Sequence, residues 1–127
     1  MSTRCNIHFN YPGGQTAANV YRHSDGYPDG VLPDLERFFV AVEAQTDDTR
    51  FGDPSYLAAK FVVWQAGEYA FRYDFSSPDL KKIPTEPLDF LGVGVMVHDA
   101  GDAEYLYEVT ASTDGGRPAV THREVTE

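Results

Sequence analysis

The feature that most constrains this fold is a change of hydrophobic period along the chain, from two to about 3.6 and back to two. Leu35, Phe38, Phe39 and Val42 stand at i, i+3, i+4 and i+7, a spacing that lines apolar side chains along one stripe of an α-helix. Pro33 suits the first turn of that helix, where a missing N–H does no harm. Ahead of it, Thr3, Cys5, Ile7 and Phe9 alternate with Arg4, Asn6 and His8, the period of a half-buried strand. Tyr11-Pro12-Gly13-Gly14 is turn chemistry, and Thr16 to Arg22 then reads as a second strand closing a hairpin.

The polar stretch Thr46 to Gly52 ends the first helix, and Asp53-Pro54 resembles an N-cap followed by proline at the first helical position. Leu57, Ala58, Phe61, Val62, Trp64 and Tyr69 trace a second apolar stripe, which could carry that helix to Tyr73 although Gly67 weakens it. Ser76 to Pro87, with Pro78, Pro84 and Pro87, predicts a connecting loop without a regular element. Period two then returns. Leu91, Val93, Val95 and Val97 alternate with Gly92, Gly94 and Met96, and strands are also predicted at Glu104 to Thr110 and Ala119 to Val125. The order β-β-α-α-β-β-β, with short turns between the last three strands, predicts an α+β fold. It would be an antiparallel sheet of about five strands with two helices packed on one face. Gly92 and Gly94 in a valine-rich, central-looking strand suggest close approach by a ligand or by a second copy, hence a possible homo-oligomer.

At 127 residues, 42% of them hydrophobic and 24% charged, the chain reads as a single α+β domain, 1–127, able to bury a core without disulfides or a metal. Ten basic against twenty acidic residues leave a net charge of −10. That surface argues against nucleic acid, whose phosphates must be met by Lys and Arg, and suits either solubility or a basic partner surface. Cys5 is the only cysteine and reads as a small strand hydrophobe rather than a nucleophile. No apolar run is long enough to span a bilayer and no signal-peptide core opens the chain, so no membrane role and a cytoplasmic location are expected.

Between the second strand and the first helix lies Tyr21-Arg22-His23-Ser24-Asp25-Gly26-Tyr27-Pro28-Asp29-Gly30. Its density of polar groups marks Tyr21, Arg22, His23, Asp25, Tyr27 and Asp29 as candidate ligand-binding residues. His23 and Asp25 flank one residue, so in extended chain both would point to one side, and the carboxylate could set the imidazole tautomer. An anion could meet Arg22, His23 and the free N–H groups of the following helix. The structural reading is equally physical: Asp25-Gly26 is a strong turn dipeptide, and Tyr27-Pro28-Asp29-Gly30 would make a second turn leading to the helix. Metal ligation is not expected, because His8, His23, His98 and His122 include no pair at ligand spacing. Ser24 lacks a nucleophile-elbow setting, and no glycine-rich phosphate loop or other cofactor motif occurs.

Met1-Ser2-Thr3-Arg4, the decapeptide and Pro87-Leu88-Asp89-Phe90-Leu91-Gly92-Val93-Gly94-Val95 together resemble a widespread set of small phage and prophage proteins. These open Met-x-Thr-Arg and carry a His-x-Asp-Gly-Tyr-Pro core. The resemblance supplies no catalytic residues to carry over. It implies a viral or mobile-element setting, in which small acidic proteins counter host defences. Two readings follow. In one, a non-enzymatic binder sequesters a small anionic, nucleotide-like ligand or blocks a host protein. In the other, a small hydrolase uses His23 and Asp25 as an acid/base pair.

Overall fold

The computed structural model describes residues 3–68, 71–73, 78, 82–84 and 92–125. Its elements are β1 (Cys5–Asn10), β2 (Thr16–Arg22), α1 (Pro28–Gln45), α2 (Pro54–Glu68), β3 (Phe71–Tyr73), β4 (Lys82–Pro84), β5 (Val93–Met96), β6 (Tyr105–Thr110) and β7 (Ala119–Glu124). The class is α+β, with a five-stranded sheet in the order β5-β2-β1-β6-β7 and a two-stranded ribbon of β3 and β4. Cys5, Ile7 and Phe9 of β1, Val20 of β2 and Tyr107 and Val109 of β6 form the core with Val31, Leu35, Phe38, Phe39 and Val42 of α1 and Leu57, Ala58 and Phe61 of α2. Phe38 meets the Phe61 ring edge-on at 5.3 Å between centroids. Among the described residues no helix is long and apolar enough to cross a membrane.

Four expectations need correction. First, the sheet is mixed rather than wholly antiparallel: β1 pairs with β6 in parallel, Cys5 opposite Tyr105 through Asn10 opposite Thr110. The last three strands are therefore no meander. β6 and β7 do form an antiparallel pair, but β5 is an edge strand bound to β2, with Gly94 opposite Tyr21. Residues 97–104 return from that edge across the sheet's second face. Their anchors are side chains, which no hydrophobic period reports: Asn19 Nδ2 donates to Asp99 Oδ1 at 2.7 Å, Ala100 N–H donates to Asn6 Oδ1 at 3.1 Å, and Glu104 N–H donates to the Arg4 carbonyl at 2.8 Å.

Second, α1 begins at Pro28, not near Pro33. Pro28 occupies the first helical turn, where its fixed φ is already helical, and the Tyr27 carbonyl accepts from the Gly30 and Val31 N–H groups, each at 3.0 Å. Tyr27-Pro28-Asp29-Gly30 is thus the start of the helix rather than a second turn. Third, α2 ends at Glu68, and Phe71–Tyr73 is a strand instead of helix. Its partner, Lys82–Pro84, lies inside the stretch expected to be only loop. Pro84 is tolerated there because it ends a strand of a two-stranded ribbon and need not donate to the ladder. Tyr69, Leu91, Met1, Ser2 and the segment 85–90 lie outside the described residues. Fourth, Gly92 and Gly94 are not central. Gly92 turns the chain into β5 with φ at +65°, a conformation that favours glycine.

Candidate functional site

The decapeptide connects the end of β2 to the start of α1, and backbone contacts fix its path. Asp25 takes a left-handed φ of +55°, which an aspartate tolerates better than most residues. Gly26 lies against the start of β1: a Cβ there would sit 2.9 Å from the Arg4 carbonyl carbon and 2.9 Å from the Thr3 oxygen. Gly26 N–H donates to Thr3 O at 2.9 Å, and the buried Tyr107 hydroxyl donates to Gly26 O at 2.6 Å. His23 N–H reaches Gly92 O at 2.9 Å. A Cβ on Gly30 would stand 2.6 Å from the Asp25 carbonyl oxygen. Both glycines are thus demanded by close approach, and the loop is clamped to β1, β6 and the entry to β5.

The side chains divide into a buried cation and an exposed rim. Arg22 is buried; its Nε donates to Ser24 O at 2.9 Å, and Nη1 stands 2.7 Å from Asp34 Oδ2 of α1, an ion pair outside good hydrogen-bond angles. Asp34 is shared with Arg37, which also reaches Glu68 at 3.1 Å. The charge expected to greet an anion is therefore compensated beneath α1. Tyr21 is half-buried and its hydroxyl meets Nδ1 of exposed His23 at 2.8 Å, with ring centroids 6.0 Å apart. Burial pushes the Tyr21 phenol pKa up. Exposed Tyr27 donates its hydroxyl to Asp25 Oδ1 at 3.2 Å, and the Asp25 charge pushes that phenol's pKa up. Asp29 lies exposed in the first turn of α1, where the helix dipole favours a carboxylate. The structure thus gathers all six predicted residues in one region, but pairs His23 with Tyr21 and Asp25 with Tyr27. No His23–Asp25 hydrogen bond or ion pair occurs among the described residues.

A second polar constellation leaves only a faint trace in the sequence. On the sheet face away from the helices, buried Asn6 donates from Nδ2 to Oδ1 of buried Asn19 at 3.0 Å, and His8 Nε2 lies 2.6 Å from Asp99 Oδ1. Asn10 accepts from Thr16 Oγ1 at 2.9 Å and donates to Thr110 Oγ1 at 3.2 Å. The available signal was Asn6, His8 and Asn10 at every second position, since strands disfavour asparagine. Their partners lie in the return segment and on neighbouring strands, so the cluster fastens the sheet's second face. Among the described residues no three His, Cys, Asp or Glu side chains converge as metal ligands. Cys5 is fully buried and burial pushes its thiol up to about 12, which keeps it protonated and unreactive at neutral pH. A groove of about 670 Å³ runs between α1 and α2, lined by Phe38, Val42, Tyr56, Lys60, Val63 and Trp64 among others.

The chain matches no protein-family model, no curated protein and no solved structure.

Proposed function

We propose that the chain is a small non-catalytic binding protein whose decapeptide covers a basic surface on a partner protein, in the setting its phage resemblance implies a host defence protein in the cytoplasm. The observation that carries this reading is the division of charge at the loop. Arg22 is buried against Asp34, whereas Asp25, Asp29, His23 and Tyr27 are exposed. The rim therefore offers carboxylates, phenol and imidazole to a cationic or hydrogen-bond-donating surface. The net charge of −10 adds long-range attraction for such a partner. Clamping of the backbone at Gly26 means little ordering entropy is lost on binding.

Sequestration of a small anionic ligand draws less support, because the loop's cation is already neutralised and two carboxylates stand where the anion would approach. The hydrolase alternative rested on a His23–Asp25 pair, and each of those side chains has a tyrosine partner instead. The test is a titration of the ¹⁵N-labelled full chain with a short oligolysine peptide and, separately, with ADP. The peptide should shift the amides of His23, Asp25, Gly26, Tyr27 and Asp29, the shifts should fade with added salt, and ADP should leave them unmoved. Shifts at these amides with ADP and none with the peptide would replace this reading with the anion-binding one.

A further inference from the structure

We propose that the groove between α1 and α2 is a second binding site, which takes an unesterified alkyl carboxylate with its head group on Lys60. The groove shares no residue with the decapeptide, so the proposal stands apart from the reading given for that loop. Phe38 and Val42 line it from α1, one turn apart. Tyr56, Lys60 and Trp64 line it from α2 at four-residue steps, which sets the ammonium between two aromatic walls.

α2 is apolar on more than its core face. Leu57, Ala58 and Phe61 are buried in the core, yet Tyr56 is 57% and Val63 72% exposed where they line the groove. A helix apolar around most of its circumference ordinarily has cover on both sides. The groove's volume of about 670 Å³ lies within the roughly 300–1,000 Å³ of small-molecule sites. At one end Gly67 leaves it open, since a Cβ there would meet nothing within 4 Å. From Tyr56 to Gly67 the helix runs about 16 Å at 1.5 Å per residue, the reach of a medium-length alkyl chain.

Charge selects the head group. Arg37 lies over the Trp64 ring, 5.5 Å from its centroid, and Arg50 over the Tyr56 ring at 4.7 Å. Both guanidinium groups are already compensated, Arg37 by Asp34 and Glu68 and Arg50 by Asp48 and Asp53. Half-buried Lys60 makes no ion pair among the described residues. One uncompensated ammonium among aromatic and aliphatic side chains matches one carboxylate on an apolar body. The net charge of −10 repels anions at long range, so the alkyl chain must supply most of the affinity. A small hydrophilic anion therefore has no hold in the groove.

Trp64 is the single tryptophan and lines the groove, so its emission reports occupancy. The full chain is titrated with decanoate below micelle-forming concentrations, and in parallel with decanol and with acetate. Decanoate should change the emission saturably, decanol should bind about fivefold or more weakly, and acetate should have no effect. Lys60→Met keeps an apolar stem and removes the charge, and should abolish the preference for decanoate while leaving decanol binding unchanged. Ala59→Phe adds bulk at an exposed wall position and should weaken both alkyl ligands by about tenfold or more. The proposal is overturned by an emission that decanoate leaves unchanged or that acetate changes equally. It is also overturned by a Lys60→Met variant that still prefers decanoate, or by an Ala59→Phe variant that binds as wild type does.

Discussion

Replacing Gly26 with alanine tests whether the decapeptide is a rigid part of the sheet or a loop free to adjust. The added Cβ would lie 2.9 Å from both the Arg4 carbonyl carbon and the Thr3 oxygen and 3.0 Å from Cys5 Cβ. Two of these neighbours are backbone and the third is a fully buried side chain, so none can swing aside. Forcing a methyl into such a contact costs about 1–3 kcal/mol. If the loop retreats instead, Tyr107 loses its 2.6 Å hydrogen bond to Gly26 O, which leaves buried polar groups unpaired at about 1–3 kcal/mol. Against this, alanine restricts the unfolded chain and returns about 0.4–1 kcal/mol. The net expectation is a loss of about 1–2 kcal/mol, appreciable against the roughly 5–15 kcal/mol that holds a domain together. Urea denaturation followed by the single tryptophan, Trp64, measures it. Gly67→Ala is the control, because Gly67 lies in α2 with nothing within 4 Å of its would-be Cβ; it should be neutral or stabilise by up to about 1 kcal/mol. A Gly26→Ala loss under about 1 kcal/mol would refute the close-approach argument.

Phe38→Ala should cost about 3–5 kcal/mol, whereas Trp64→Ala, only partly buried and lining the groove between the helices, should cost roughly half as much; equal losses in denaturant would contradict the packing described. The raised pKa of Cys5 predicts an alkaline sensitivity. The unfolded thiol ionises near its ordinary 9.0, while the folded one holds its proton to about 12, so this contribution is intact below about pH 9 and falls away as pH climbs from there toward 12. Cys5→Ala should flatten the loss, read as the urea midpoint against pH; the buried Tyr107 phenol, also raised by burial, adds a residual loss in the same direction. Asp99→Ala should cost about 1–3 kcal/mol, because it leaves the Asn19 amide without its 2.7 Å acceptor on the buried face; a neutral result by thermal melting would mean the return segment is not fastened there.

What the sequence discloses here is what repeats with a local period. The stripe of Leu35, Phe38, Phe39 and Val42 and the alternation of Cys5, Ile7 and Phe9 each depend on neighbours a few residues away, and both elements appear where the pattern puts them. Strand order does not depend on local spacing. β6 joins β1 because Asn6, Asn19 and Arg4 hold residues 97–104 across the sheet, and partners some eighty to a hundred positions apart leave no periodic trace. The six residues between Val97 and Glu104 read as a hairpin turn for the same reason. At the site, the sequence located the polar cluster but not its pairings. Arg22 alternates onto the helix side, where Asp34 waits in the second turn of α1. The αL turn at Asp25 breaks the extended geometry that would have aligned it with His23.

The central claim is that the exposed rim of a clamped loop recognises positive charge, and Asp25→Asn tests it most directly. Asparagine keeps the shape, tolerates the left-handed φ of +55° and can still accept from the Tyr27 hydroxyl, so only the charge is removed. Thermal melting and oligolysine titration are run on the same sample. The account predicts stability within about 0.5 kcal/mol of wild type, as at other surface positions, with the amide shifts at Gly26 and Tyr27 weakened several-fold. A variant that melts well below wild type yet binds the peptide as strongly per folded molecule would contradict it, and would make Asp25 a turn residue alone.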